Sequence, residues 1–153
     1  MRIEETSHDQ RGFSLAELSV LLAVTGSVCA LALPAFLNYF QTAQVRAAAE
    51  DVASLLNLGR QMAIQRNQSV CVSIGSSALQ YYLGSCSGSL LTGVTTDRYG
   101  NASTQAGITL TSTGNPVFSN LGAAVPAATI TVSQGSKTLT VTVAASGRVS
   151  VGP

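Results

Sequence analysis

The chain has 153 residues, of which 46% are hydrophobic, 10% charged and 5% aromatic, with a formal net charge of +1. That length suits one domain with an added element; the charged share is far below the usual quarter and excludes a solvated disordered tail, and so small a net charge sets up no global field to gather nucleic acid. One histidine, three cysteines and no tryptophan leave too few parts for most metal and catalytic frameworks.

The first twelve residues carry Arg2, Glu4, Glu5, Asp9 and Arg11, three acids and two bases. Residues 18–37, LSVLLAVTGSVCALALPAFL, hold no charge. A helix over that span rises ~1.5 Å per residue and covers ~30 Å, the apolar thickness of a bilayer. The segment is a candidate membrane helix, and its Gly26 and Pro34 are tolerated in such helices. Three readings compete. A removable secretory signal finds support in Ala30-Leu31-Ala32, an A-x-A pattern after an apolar run, and leaves a secreted soluble binding domain that starts at Leu33. Against it stand the acidic start and Glu17 at the edge of the run. The second reading is a plain single-span anchor, and the third an anchor that also polymerises. Glu17 separates them. A carboxylate costs ~2.5–3.5 kcal/mol at the bilayer centre and less near the interface. No basic residue follows Glu17 within two helical turns, so its partner is made by processing or comes from another molecule.

Residues 41–66 have no proline and only Gly59 as a breaker. Val45, Ala48, Ala49, Val52, Leu55, Leu56, Met62 and Ala63 follow a helical stripe, with Arg46, Glu50 and Gln61 facing away and Asn67 as the stop. The stripe is core, not a cofactor site. One long helix is therefore expected over 13–67, membrane-spanning at about 18–37, followed by a β-rich globular domain over 68–153. Alternation marks strands at 69–74, 79–83, 108–111, 129–132, 138–143 and 148–151, with turns at Gly75-Ser76-Ser77 and Gln134-Gly135-Ser136. Their wet faces are threonine and serine. The Gly-, Ser- and Thr-rich stretch 84–107 predicts a long loop with at most a short strand. The fold class expected is α+β, a long N-terminal helix packed on an antiparallel sheet.

The segment Arg11-Gly12-Phe13-Ser14-Leu15-Ala16-Glu17 resembles the type IV prepilin signal. The resemblance implies that a prepilin peptidase cuts between Gly12 and Phe13, removes residues 1–12 as a leader and methylates the new amine on Phe13. That amine is then the cation Glu17 lacks. In this class the glutamate of one subunit pairs with the terminal amine of a neighbour, and Pro34 matches a helix-loosening proline. Ser14 and Ala16 stand where threonine and a larger aliphatic are common, and the leader is acidic where many are basic. The junction Leu58-Gly59-Arg60-Gln61-Met62-Ala63-Ile64-Gln65-Arg66-Asn67-Gln68-Ser69-Val70 and the closing Ser146-Gly147-Arg148-Val149 resemble the GspH/FimT group of minor pilins and pseudopilins. The resemblance implies the pilin-like fold, a single pass through the bacterial inner membrane, a periplasmic C-terminal domain and incorporation into a pseudopilus or pilus. The implied partners are other pilins or pseudopilins, the prepilin peptidase and the inner-membrane assembly platform. The preferred reading is a minor pseudopilin of a type II secretion system that supports protein export; the alternative is a type IV pilus minor pilin acting in pilus assembly or DNA uptake.

A periplasmic domain permits disulfides, which makes Cys71 and Cys86 a candidate bridge, with two buried thiols as the alternative; Cys29 in the apolar run is a small filler. No enzyme and no cofactor are expected. His8, the only histidine, lies in the leader, so no Ser-His-Asp or Cys-His set is available to the mature chain. Metal-ligand spacing and the phosphate cradle are absent. Beyond the helix Asp97 is the only carboxylate, too little for a calcium cage. Major pseudopilins bind calcium, so this shortage favours a minor subunit. Some FimT-like members hold DNA on a terminal Gly-Arg-x-Arg strand, but here Ser150 replaces the second arginine. One arginine engages few phosphates, so Arg148 is at most a weak DNA contact, and a solvated arginine that discourages edge pairing is the favoured reading.

Overall fold

The computed structural model describes residues 14–93 and 101–152, with Pro34 by its backbone alone. Helix α1 (Leu15–Arg66) is followed by strands β1 (Val70–Ile74), β2 (Ala78–Leu83), β3 (Ser89–Leu90), β4 (Asn101–Ser103), β5 (Thr109–Ser112), β6 (Val117–Phe118), β7 (Ala124–Val125), β8 (Ala128–Gln134), β9 (Lys137–Val143) and β10 (Val149–Gly152). The chain divides into two compact units, one up to Tyr39 and one from Phe40 onward.

In the first unit α1 is bare. It holds an apolar window of mean hydropathy 2.3, none of it buried, long enough to cross a membrane. In the second unit the same helix becomes amphipathic. Val45, Ala48, Ala49, Val52, Leu56 and Ala63 are buried, while Arg46, Glu50 and Gln61 are exposed. The helix ends at Asn67, which takes a left-handed φ of 50°. Its N–H donates to the Ile64 carbonyl and that of Gln68 to the Ala63 carbonyl, both at 3.2 Å. This pair of bonds is a Schellman closure with asparagine in place of glycine.

The strands form the expected antiparallel β domain as two sheets. The first has the order β3-β2-β1-β6-β7, with β4 also on β2; the second has the order β10-β9-β8-β5. Local hairpins build most of this. β1 and β2 pair from Val70↔Leu83 to Ile74↔Leu79 across the Gly75-Ser76-Ser77 turn. β8 and β9 pair out to Gln134↔Lys137, leaving Gly135 and Ser136 as a two-residue loop. Gly135 has φ 57°, and the first central place of a II′ turn favours glycine for that reason. The division into two sheets comes from a long-range pairing, because β1 also takes β6 on its other edge, at Val70↔Phe118 and Cys71↔Val117. Residues expected as loop contribute β3 and β4, which share one edge of β2 end to end.

The core lies where inward faces meet. Val70, Val72, Leu79, Tyr81 and Phe118 come from the first sheet, and Ile130, Val132, Val141 and Val143 from the second; all are buried with the helix stripe. The alternation of β8 puts Ala128, Ile130 and Val132 inside and Thr129, Thr131 and Ser133 at the surface. Thr111, Thr131 and Thr140 lie in one row across three strands, where β-branched neighbours shield one another. At Gly59 helix and sheet come close together. A Cβ there would stand 2.6 Å from Val72 Cγ2 and 3.3 Å from Tyr81 Cε1, and Val72 and Tyr81 are a cross-strand pair. The Tyr81 hydroxyl donates to the Leu55 carbonyl of α1 at 3.0 Å. Burial pushes the Tyr81 phenol well above its usual pKa.

Candidate functional site

In the first unit the chemistry is that of a surface with no core. Leu15 is 86% and Leu31 81% exposed, and Val20, Leu22, Val28, Phe36 and Tyr39 are also largely open. Such a contiguous apolar surface needs lipid or protein to cover it. Three of its hydroxyls are closed off within the helix. Ser19 Oγ donates to the Ala16 carbonyl, Thr25 Oγ1 to Leu21 and Ser27 Oγ to Ala23, each at 2.7 Å. Groups satisfied in this way suit a membrane helix. Glu17 stands in the first turn of α1, exposed, where the helix dipole favours an anion. Among the described residues it forms no ion pair. Pro34 falls inside α1. Cys29 is a free, exposed thiol beside Ala32, Leu33 and Phe36. Gly12, Phe13 and His8 lie outside the described residues, as do Asp97 and Arg98.

In the second unit the structure joins Cys71 and Cys86 in a disulfide with a Cα–Cα distance of 5.1 Å. The bond ties buried β1 to the turn that follows β2. Arg148 is exposed just before β10. An open groove of about 550 Å³ lies along Glu50, Ser54, Asn57 and Gln61 of α1 and Val151 of β10. Its polar side chains bring no acid, base and nucleophile together. Among the described residues no group of histidines, cysteines or carboxylates is placed to hold a metal ion.

The two motifs from opposite ends of the globular domain meet at Arg60. Positions for a Cβ on Gly122 and Gly147 lie 2.8 and 3.3 Å from its Nε. Gly147 has φ 77° and Gly122 φ 82°, and a Cβ on Gly147 would overlap the Gly122 carbonyl. Glycine is thus required at 147 both by the backbone conformation and by the lack of space. Asn120 Nδ2, on the same loop as Gly122, donates to Asn67 Oδ1 at 2.9 Å and ties that loop to the helix end. The sequence displayed Arg60 and Gly147 as motif residues; Gly122 had no signal beyond its following an apolar Leu121.

Comparison with known proteins agrees with this architecture. The family model described as Type II transport protein GspH matches residues 48–147. Two fimbrial proteins of Pseudomonas aeruginosa are each 32% identical over 84 residues, 55% of this chain and 54% of theirs. The chain therefore spans about half the length of the curated relatives it matches. Among solved structures, the type IV minor pilin FimU of Pseudomonas aeruginosa aligns with TM-score 0.58 and 17% identity, over 75% of this chain and 92% of FimU. The minor pseudopilin EpsH from the Type 2 Secretion System of Vibrio cholerae aligns with TM-score 0.54 and 15% identity, over 71% and 95%. At those identities the likeness establishes the fold, which is pilin-like: a long N-terminal helix with an antiparallel β domain. The family match extends across most of the chain, and the protein belongs to the GspH family. It is a minor pilin or pseudopilin of the type IV pilin-like class, a structural subunit and not an enzyme.

Proposed function

We propose that this subunit serves the pseudopilus of a type II secretion system. The prepilin peptidase removes residues 1–12 by cutting after Gly12 and methylates Phe13. The apolar part of α1 then holds the chain in the inner membrane, in reach of the assembly platform, with the β domain in the periplasm. The observation that carries the reading is Glu17, a lone carboxylate in the first turn of a bare apolar helix. A freed amine at Phe13 of a neighbouring subunit supplies the missing charge. Pairing in low dielectric is favourable only when both ions are satisfied together, so Glu17 sets register while buried helix area supplies cohesion. Pro34 loosens the helix in this account.

A placement in a type IV pilus is the second reading, favoured by the likeness to the fimbrial proteins. Arg148 alone on its strand makes nucleic acid an unfavoured ligand. Sequencing the mature N-terminus from membranes tests the central claim. A methylated Phe13 supports it and a start at Leu33 ends it. Deleting the chain in its host then separates the two machines, by loss of an exported protein or by loss of pili.

A further inference from the structure

Where α1 enters the β domain, it and the β8–β9 hairpin border a pocket of about 240 Å³, lined by Thr42, Val45, Arg46, Lys137, Thr138 and Leu139. Val45 and Leu139 give it an apolar wall. Two cations line it and no carboxylate does. Arg46 Nε donates to Glu50 at 3.1 Å, in a pair so exposed that solvent screens it. Lys137 is partly buried and forms no ion pair among the described residues. The described acids of this unit are Glu50 and Asp51, and neither reaches the lining. Thr138 is exposed and adds a hydroxyl. An apolar wall with a few convergent polar groups is the composition of a small-ligand site, and the charge selects an anion.

The sequence says which anion is at hand. The uncharged run ends at Leu37. Phe36, Tyr39 and Phe40 straddle that end and are largely open, and aromatic side chains so placed settle at the headgroup level of a bilayer. Thr42 comes five residues after Leu37, ~7.5 Å of helical rise. The headgroup layer is ~5–7 Å deep on each side of the hydrocarbon, and long basic side chains extend their charges toward it. We propose that this pocket binds the headgroup of an anionic phospholipid. Lys137 and Arg46 hold the phosphate, Thr138 donates to it, and Val45 and Leu139 pack against the glycerol carbons. A zwitterionic headgroup fits less well, because no carboxylate in the pocket receives its ammonium.

The proposal rests on α1 being a membrane anchor and goes beyond that reading by naming the lipid. Its test is native mass spectrometry of the full chain in detergent micelles, given equal amounts of phosphatidylglycerol and phosphatidylcholine with the same acyl chains. The wild-type chain should retain phosphatidylglycerol in preference. Lys137→Gln should lower that preference about fivefold, the worth of one cation near an anionic surface. Arg148→Gln, outside the pocket, should leave it unchanged. Arg2 and Arg11 are present in every variant, so the difference between variants reads the pocket. Circular dichroism checks folding, and Arg46→Gln, at an exposed residue, decides should Lys137→Gln fail to fold. Equal retention of the two lipids by the wild type, or full preference in Lys137→Gln, overturns the proposal. So does displacement of the lipid by inorganic phosphate at matching concentration, which makes the pocket a site for the free anion. A mature chain that starts at Leu33 fails the anchor reading; a chain that starts at Phe13 and shows no preference fails the lipid site alone.

Discussion

Replacing Gly59 with alanine tests how rigidly the helix is seated on the sheet. In an open helix this change stabilises by ~1 kcal/mol through backbone entropy. Here the new methyl would stand 2.6 Å from Val72 Cγ2 and 3.3 Å from Tyr81 Cε1. Neither neighbour gives way easily. Val72 and Tyr81 are buried with 0% and 1% exposure; a β-branched side chain is stiff at χ1, and the Tyr81 ring is held by its 3.0 Å bond to the Leu55 carbonyl. Overpacking of this kind costs ~1–3 kcal/mol, which outweighs the propensity gain. The expected net loss is up to ~2 kcal/mol, a fall in Tm of up to ~8 °C for a domain of this size. Thermal unfolding of the full chain in detergent, followed by the tyrosine signal in near-UV circular dichroism, measures it. Val72→Ala removes the clashing methyl, so Gly59→Ala should be harmless in that background, with a coupling of ~1–2 kcal/mol. A rise in Tm on Gly59→Ala alone would refute the reasoning, because helix and sheet would then have room to part.

Four further outcomes are expected. The Tyr81 phenol is raised in the fold, so the unfolded chain releases that proton first; stability is complete below the unfolded value of ~10 and falls as pH rises past it. Urea titrations at pH 9 and 11 should show the loss, and Tyr81→Phe should remove the pH dependence while costing ~0.5–1.5 kcal/mol at neutral pH. Reducing Cys71–Cys86, whose sequence separation is 15, should cost ~3 kcal/mol in the chain-entropy account, read as a lower urea midpoint in dithiothreitol. Gly147→Ala should cost more than ~3 kcal/mol, since it combines a left-handed backbone with an overlap onto the Gly122 carbonyl. Arg148→Ala, at an exposed position, should stay within ~0.5 kcal/mol in the same urea assay.

Long-period features were legible in the sequence. The stripe from Val45 to Ala63 and the alternation of β1, β2, β8 and β9 extend over enough residues for the pattern to declare itself. Asn67 was readable as a stop because asparagine tolerates the left-handed conformation it adopts. β6 and β7 were not readable, because Val117-Phe118 and Ala124-Val125 are each two residues long and no period fits in two positions. The split into two sheets was hidden for a related reason: it depends on β1 meeting β6 far along the chain, and pairing between distant segments leaves no local mark. The apolar segment and Glu17 stood out through charge contrast alone. Arg60 and Gly147 were visible as members of separate motifs, but only folding makes them neighbours.

The buried stripe of α1 also has a history during biosynthesis. Its roof includes Ile130, Val132, Val141 and Val143, all near the far end of the chain, so ribosomes finish this greasy ridge long before the strands that cover it. A nascent copy therefore passes through a period in which the ridge is naked, and a version truncated ahead of β8 never leaves it. Completion of the last hairpin is thus the event that separates a subunit fit for assembly from one fit for proteolysis.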